Sequence, residues 1–352
     1  MKKLLSLLLA AVLCLAMFAG CAPKETTDPD TTDPGTTDPG AADPGTQEPD
    51  GEAAPKTTFR IASLKGPTTM GLVKLMDDSD KGQARHDYQV TMHGTADEIV
   101  PLLAKGEIDV AFVPCNLAAV LYQKTEKGIQ IAGINSLGVL YTVDTGDEVH
   151  SVADLKGKTI YTVGKGTTPE FSLNYILSQN GLEPGKDVTV EFKSEATEVA
   201  AMIAQGQQVI AMLPQPFVAT AMAKNENLRI ALDMTEEWDK VVTDGSSLIT
   251  GVIVARREFI EQNGAAFDEF LEDYAASVSF VNGDVDAGAA LVGGYDIVPE
   301  AIAKTALPLC NIVSITGSEM KDKVSGYLNV LYEQNAESVG GTLPDDGFYY
   351  VK

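Results

Sequence analysis

The feature that most restricts the fold of this chain is a regular alternation of short apolar segments with segments of helical periodicity. Thr58–Ser63 is an apolar run that ends in a turn, and Thr95–Lys105 carries apolar residues at helical spacing. Asp109–Val113 is again a short apolar run. This alternation predicts right-handed β-α-β units around mostly parallel sheets, which makes the chain an α/β protein.

The alternation occurs twice, and this repetition predicts two lobes with a cleft between them. A second series of strands and helices begins at Thr159 and closes at Leu232, and a mainly helical stretch then follows. We assign residues 57–141 together with 248–352 to the first lobe, and residues 142–247 to the second lobe.

Two extended stretches are the predicted crossings between the lobes, Leu137–Val143 and Leu248–Val254. A two-stranded crossing can act as a hinge, because few residues need to change their backbone angles for the lobes to close.

The junctions between strands and helices are the predicted ligand-binding positions. In open α/β sheets, ligands bind beyond the carboxyl ends of the strands, where the following helices offer free backbone N–H groups. Four junctions here are small, polar and rich in turn residues, two in each predicted lobe. The candidate ligand-binding residues are Lys65, Gly66, Thr68, Thr69, Met70, Asn116, Gly166, Thr167, Thr168, Gln215 and the sole tryptophan, Trp238.

Each junction also has a purely structural interpretation. Thr168 before Pro169 is suited to cap a helix that has proline in its first turn, and Gly66-Pro67 is a common turn. Trp238 packs in the core by default. The occurrence of the same feature at equivalent places in both lobes favours the ligand-binding interpretation.

The N-terminus has the pattern of an export signal. Lys2 and Lys3 precede the apolar run Leu4–Phe18, which is shorter than the roughly 20 residues of a membrane span. Small residues then lead directly to Cys21, as in the bacterial lipobox. We predict a lipoprotein signal peptide at residues 1–20, and an anchor at the outer face of the cell membrane through lipidated Cys21. An ordinary signal peptide with an incidental Cys21 is the alternative.

Residues 21–56 are predicted to be a disordered, acidic tether. The unit Thr-Thr-Asp-Pro recurs at Thr26, Thr31 and Thr36. Proline, glycine, threonine and aspartate cannot bury enough apolar surface to offset the entropy of ordering, so the segment forms an extended spacer.

Composition excludes several classes of function. The net charge of −24 makes nucleic acid an improbable partner. The three histidines are scattered and zinc-type cysteine spacing is absent, so we predict neither metal nor cofactor. The carboxylates are spread along helix faces, which gives no support for catalysis. Cys115 and Cys310 are expected to be buried free thiols, with a disulfide between them as the alternative.

Several motifs of the chain resemble the substrate-binding proteins of ABC transporters for nitrate, sulfonate and taurine, which have the type II periplasmic-binding-protein fold. Ser151–Ile160 (SVADLKGKTI) is similar to the entry of that family's second lobe, and Gly181–Val188 resembles its turn of glycine, leucine and proline. Leu102–Ala111 and Gly251–Asn263 look like further family segments. The counterpart of Leu102–Ala111 in the second lobe, Ile203–Ala211, departs from the pattern because Val209-Ile210 stand where an acidic residue is usual.

The resemblance implies a non-enzymatic binding protein that passes a small solute to an ABC permease and ATPase. It would place an oxyanion of a sulfonate or carboxylate on Thr68, Thr69, Asn116 and Thr168, with Lys65 and Lys165 adding charge. The junctions carry no arginine for a bidentate clamp, so an uncharged heterocycle is a further possibility. A binding protein that serves a sensor instead of an importer is the alternative function, and an enzyme on the same fold ranks third.

Overall fold

The computed structural model describes residues 56–243 and 245–352, which belong to one unit, Ala54–Lys352. The predictions for the signal peptide, for Cys21 and for the tether before Lys56 lie outside the described residues. Within these residues, no helix combines the length and the apolar character needed to cross a membrane.

The described chain contains the strands and helices that the alternation predicts. The strands are β1 Thr58–Leu64, β2 Asp87–His93, β3 Val110–Pro114, β4 Ile129–Leu137, β5 Leu140–Asp144, β6 Thr159–Thr162, β7 Thr189–Phe192, β8 Ile210–Pro214, β9 Arg229–Asp233, β10 Ile249–Arg256 and β11 Ile312–Ile315. The α-helices are α1 Pro67–Met70, α2 Val73–Asp80, α3 Ala96–Ala104, α4 Cys115–Lys124, α5 Thr168–Gln179, α6 Ala196–Ala204, α7 Phe217–Met222, α8 Met234–Val241, α9 Arg257–Gly283, α10 Val285–Gly294, α11 Glu300–Ala306 and α12 Gly317–Gln334. Short 3₁₀ turns occur at Val152–Leu155, Leu307–Leu309, Ala336–Val339 and Asp346–Phe348.

The strands form two sheets, which confirms the predicted two-lobed α/β fold. The prediction of mostly parallel sheets was wrong, because both sheets are mixed: four strand pairs are parallel and five are antiparallel. The first sheet has the order β11-β4-β10-β3-β1-β2, and the second has the order β7-β6-β8-β5-β9. In each sheet a parallel trio is followed by an antiparallel strand, β10 in the first and β5 in the second. The antiparallel pairings arise because β5 and β10 each enter their sheet directly after the chain has crossed from the other one.

The chain crosses between the sheets at residues 138–139 and again at residues 234–248. The predicted crossing Leu137–Val143 contains the first of these, although its last four residues lie in β5. The crossing expected at Leu248–Val254 was misplaced, since most of this stretch lies in β10 and pairs with β3 on one side and β4 on the other. The second crossing carries α8, so the prediction of two extended crossings was wrong. The two crossings touch: a Cβ atom added to Gly138 would lie 2.1 Å from Oγ1 of Thr235. Only glycine leaves room for this close approach.

The largest hydrophobic cluster runs through both sheets. It includes Val113 and Ile134 from the first sheet and Ile160 and Met212 from the second, all of them fully buried. A hydrogen bond from the Tyr141 hydroxyl to the Leu309 carbonyl, 2.9 Å long, also joins the second sheet to the helical return of the first lobe. The two lobes are therefore packed against each other along the carboxyl ends of their parallel strands.

A buried carboxylate stabilises the opposite edge of the first sheet. Asp109 is 2% exposed and accepts hydrogen bonds from the Arg60 side chain at 2.6 and 2.8 Å and from Nη2 of Arg256 at 2.9 Å. Burial alone would raise the pKa of Asp109, but the hydrogen bonds from Arg60 and Arg256 outweigh it and hold the pKa below its ordinary value of 3.8.

We expect Asp109→Asn to lower the free energy of unfolding by about 3 kcal/mol near neutral pH, because two arginines lose a buried anionic partner. The pKa of Asp109 is lower in the folded than in the unfolded chain. Its stabilisation is therefore complete above its unfolded pKa and disappears as the pH falls through the folded pKa. The difference between variant and parent should thus narrow below about pH 4.

Denaturant unfolding at several pH values measures this difference. Asp97→Asn on the exposed start of α3 is the matched control, with an expected change within about 0.5 kcal/mol. Equal losses in the two variants would contradict a stabilising role for the Asp109 cluster.

Candidate functional site

The carboxyl edges of the two sheets meet at the first crossing. Strand β4 ends at Leu137, and two residues later Leu140 begins β5. Leu140 pairs with Pro214, the last residue of β8, so the carboxyl end of a second-lobe strand lies beside the carboxyl end of β4. The backbone N–H of Gln215 donates to the Val139 carbonyl at 2.9 Å, which holds the β8–α7 junction against the crossing.

In the first lobe, polar groups surround Gly251 at the start of β10. A Cβ atom at Gly251 would lie 2.4 Å from Oδ1 of Asn135, 2.8 Å from Oγ of Ser136 and 2.9 Å from Cγ2 of Thr68. Gly251 also pairs with Pro114, which immediately precedes α4 and Asn116. The absence of a side chain at Gly251 thus allows β4, the β1–α1 turn and the end of β3 to meet at the start of β10.

In the second lobe, Thr168 begins α5 and faces a residue of α12. Its hydroxyl lies opposite the hydroxyl of Tyr327, and burial raises the pKa of Tyr327 despite that contact. Neither hydroxyl has a further hydrogen-bond partner among the described residues. The Tyr327 ring packs 5.5 Å from the ring of Trp238, which packs in turn 4.7 Å from Tyr175.

Buried polar atoms without a partner concentrate along this edge of both sheets. Asn116, Asn135, Ser136, Thr168, Gln215 and Trp238 are each at most 5% exposed. An unsatisfied polar atom in such a place costs about 1–3 kcal/mol, so a group of them is the mark of a site that a ligand completes. The atoms are Oδ1 of Asn116, Oδ1 of Asn135, Oγ of Ser136, Oγ1 of Thr168, Nε2 of Gln215, Oγ1 of Thr235, Nε1 of Trp238 and Oγ1 of Thr250.

The two buried carboxylates are placed elsewhere, and the half-buried Asp233 at the end of β9 caps α8. Asp109 and Asp144 are the buried carboxylates of the described chain, and both lie at the amino edge of the parallel strands. Asp144 accepts from Arg229 at 3.1 Å and from three backbone N–H groups that follow β5. The unpartnered polar atoms at the carboxyl edge are therefore those of amides, hydroxyls and an indole.

The structure brings together only some of the residues that the sequence singled out. Asn116, Thr168, Gln215 and Trp238 lie along the edge with polar atoms available. Met70 is fully buried, and its Sδ atom lies 3.9 Å from the Cys310 thiol.

The predicted hydroxyl donors of the first lobe are turned inward. Oγ1 of Thr68 donates to the Leu64 carbonyl at 2.7 Å, and Oγ1 of Thr69 lies 2.6 Å from the same carbonyl. Gly66 precedes α1 with a φ of 147°, a conformation that favours glycine. Thr68 and Thr69 therefore hold the β1–α1 turn with their own hydroxyls.

The glycine-rich junction before α5 is mostly occupied by its own contacts. Gly166 is exposed, and its N–H donates to the Glu170 carboxylate at 2.5 Å. The N-cap of α5 is Thr167, so the expectation that Thr168 is the cap was wrong. The Thr167 hydroxyl donates to the Gly164 carbonyl at 2.7 Å.

The two candidate lysines lie on the exposed surface. The Lys65 ammonium is 3.8 Å from the Asp296 carboxylate, and the Lys165 ammonium lies 5.9 Å from the centre of the Phe192 ring.

Cys115 and Cys310 are free thiols, and burial raises the pKa of each. Residues 56–243 and 245–352 contain no group of three or more histidine, cysteine or acidic residues that could hold a metal ion.

Sequence reasoning missed Asn135, Ser136, Thr250 and Tyr327. Asn135 and Ser136 are consecutive polar residues near the end of an otherwise apolar strand, and this was a signal that could have identified them. Tyr327 lies in the middle of α12, far from any strand end in sequence, so no local pattern marks it.

Comparison with known proteins places the chain in a family. The model of the phosphonate periplasmic substrate-binding proteins of ABC transporters matches residues 82–275, more than half of the chain. The chain therefore belongs to this family of substrate-binding components, whose members work outside the cytoplasm and are not normally enzymes. No curated protein sequence matches the chain.

Solved structures share the fold. An ABC transporter protein from Parabacteroides distasonis is 26% identical with a TM-score of 0.71, and the alignment covers 84% of this chain and 100% of that one. The periplasmic aliphatic sulphonate-binding protein of Escherichia coli is 18% identical with a TM-score of 0.67, with coverage of 84% and 92%. An alkanesulfonate-binding protein from Xanthomonas axonopodis pv. citri, bound to MOPS, is 17% identical with a TM-score of 0.61, with coverage of 83% and 96%.

We expect Gly251→Ala to destabilise the protein by about 1–3 kcal/mol, since the added methyl group overlaps Asn135, Ser136 and Thr68 at the centre of the site. Gly264→Ala in α9 is the matched control, because a Cβ there meets no atom within 4 Å. The control should be neutral or slightly stabilising. Chemical denaturation compares the two variants, and an unchanged Gly251→Ala protein would show that the edge is not tightly packed.

Proposed function

We propose that the protein captures a small organic solute between its two lobes and delivers it to the permease and ATPase of an ABC importer. Family membership supports the transport role. The observation that carries the proposal is the row of unpartnered buried amide, hydroxyl and indole atoms along the facing carboxyl edges. A solute held there would complete hydrogen bonds to both lobes at once, and binding would thereby favour lobe closure.

The relatives of the chain and the polar atoms of the site both bear on the class of solute. Two structural neighbours are described as sulfonate-binding proteins, and the family model is named for phosphonates. We propose a sulfonate-like or carboxylate-like anion or a heterocycle as the solute. Candidate ligand contacts are Asn116, Thr168, Gln215 and Trp238 from the sequence, joined by Asn135, Ser136 and Tyr327.

A thermal-shift screen of sulfonates, phosphonates, carboxylates, pyrimidines and vitamins tests solute capture directly. A solute present at about 100 times its Kd should add roughly 2.7 kcal/mol of stability and raise the melting temperature by several degrees. Thr168→Val should weaken the response about tenfold in Kd, because it removes a buried hydroxyl without changing shape. Thr197→Val, on the exposed start of α6, should leave the Kd unchanged. If no solute in the screen shifts the melting temperature, the proposal fails.

We also propose that the mature protein is a lipoprotein anchored through Cys21, with residues 22–56 as its spacer. The support is the sequence alone: a basic start, a short apolar run and small residues directly before Cys21. Acylation at one cysteine with more than one chain gives stable anchoring, at about 0.8 kcal/mol per buried CH₂ group.

Cys21→Ala should move the protein from the membrane fraction to the soluble fraction in the native host. Cys14→Ala is the matched control, since it lies inside the apolar run and should leave the protein with the membrane. Fractionation followed by immunoblotting measures both. Membrane retention of the Cys21→Ala protein would refute the anchor.

A further inference from the structure

We infer that the solute of this site is uncharged and amide-like, a lactam or cyclic imide that gives N–H groups to the first lobe and presents oxygen atoms to the second. The inference rests on the proposed solute-binding function. The family model and two of the structural neighbours are named for anionic solutes. We infer a different class of solute because of the direction in which each buried amide of this chain points.

The first lobe offers acceptors. Nδ2 of Asn116 donates to the Ser338 carbonyl at 3.3 Å, and Nδ2 of Asn135 donates to the Thr68 carbonyl at 3.2 Å. Flipping either amide would set its oxygen against a carbonyl oxygen, so these contacts fix the orientation. The Oδ1 atoms of Asn116 and Asn135 are consequently the atoms left to meet a solute, and they can only accept.

The second lobe offers donors. Oε1 of Gln215 accepts from the backbone N–H of Ala219 at 3.2 Å, which leaves Nε2 of Gln215 as a free donor. The indole Nε1 of Trp238 donates and cannot accept. Gln215 is 1% exposed and Trp238 is fully buried, so neither donor can find bulk water.

A free oxyanion does not fit this pattern. Sulfonate and phosphonate oxygens accept hydrogen bonds, and they would face the two amide oxygens of Asn116 and Asn135 without a donor between them. Lys65 and Lys165 are on the exposed surface and cannot neutralise a buried charge. Lys323 lies on α12 one turn before Tyr327, but its ammonium donates to the Ser247 hydroxyl at 3.2 Å. Transfer of an unpaired anion into such a site costs several kcal/mol.

A cationic or zwitterionic solute fails for the corresponding reason. The buried carboxylates of the described chain, Asp109 and Asp144, lie at the opposite edge of the sheets and are already held by arginines. Asp233 lies at the carboxyl end of β9, but its Oδ1 accepts from the Thr235 N–H at 2.8 Å and caps α8. The unpartnered acceptors that an ammonium group would meet are therefore neutral. An uncharged solute with donors on one side and acceptors on the other satisfies both lobes, while the hydroxyls of Ser136 and Thr250 can donate or accept as required.

The experiment compares probes by thermal shift and calorimetric titration of the mature soluble domain with its tether. Uracil and hydantoin represent the cyclic imides, and their N,N′-dimethyl derivatives keep the oxygens but lose the N–H donors. Methylphosphonate, methanesulfonate and aminoethylphosphonate represent the charged alternatives. We expect a cyclic imide to raise the melting temperature, its dimethyl derivative to bind at least tenfold more weakly, and the charged probes to have no effect.

The outcomes separate this inference from the proposed function. A shift with a charged probe and none with the imides would overturn the inference and leave solute capture intact. Equal binding of an imide and its dimethyl derivative would overturn it too, because the acceptors of the first lobe would then be unused. No shift with any probe, together with a negative broad screen, would overturn both proposals.

A variant ties the binding to this site. Gln215→Glu keeps an oxygen that accepts from Ala219 but replaces the free donor by a second acceptor, so imide binding should weaken at least tenfold. Gln207→Glu makes the same change at an exposed position of the same lobe and should leave the Kd unchanged. Circular dichroism confirms folding of both variants. If Gln215→Glu binds the imide as tightly as the parent, the assignment of the donor is overturned.

Discussion

The position of the cleft depends on one strand that enters the first sheet after the chain has returned from the second lobe. Strand β10 lies between β3 and β4 and is antiparallel to both. Its first residues therefore lie at the carboxyl ends of its neighbours, where Gly251 meets Pro114 on one side and Ser136 on the other. Because a glycine occupies this position, Asn135, Ser136 and Thr68 can approach the β10 backbone more closely than any residue with a Cβ atom would allow.

The return of the chain to the first sheet as β10 also explains why the two crossings are in contact. The chain leaves the first sheet through Gly138 and returns through a segment that begins at α8, and Thr235 of α8 packs directly against Gly138. Asn311 adds a hydrogen bond of 2.6 Å from its side-chain amide to the Gly138 carbonyl. These contacts hold the two crossings together, and the lobe closure that we propose would have to pivot about them.

The sequence predicted those features that depend on local periodicity and turn chemistry. The two β-α-β series, the short polar junctions and the position of Asn116, Thr168 and Gln215 at the ends of strands all follow from the residues on either side of each strand end. Apolar runs cannot reveal which strand lies next to which, and this is why Leu248–Val254 was mistaken for a crossing. Its β-branched residues suit a central strand as well as an extended linker.

Side-chain direction was the part that the sequence could not provide. The hydroxyls of Thr68 and Thr69 were expected to face a ligand, yet both contact the Leu64 carbonyl, because the four-residue α1 leaves that carbonyl within their reach. Tyr327 reaches the site only because α12 packs across the start of α5. The contact between Tyr327 and Thr168 joins segments more than a hundred residues apart, and no pattern within either segment encodes it.

In the proposed function, the polarity of the site links solute capture to lobe closure. When the lobes pack together, the amide oxygens of Asn116 and Asn135 and the donors of Gln215 and Trp238 lose contact with water, and each unsatisfied atom costs about 1–3 kcal/mol. Opening of the cleft would rehydrate these atoms, whereas the hydrophobic cluster shared by both lobes favours closure. A solute that completes the hydrogen bonds removes the penalty in the closed state alone. Its differential affinity for that state is what shifts the equilibrium, and a solute that contacted a single lobe would bind without closing the cleft.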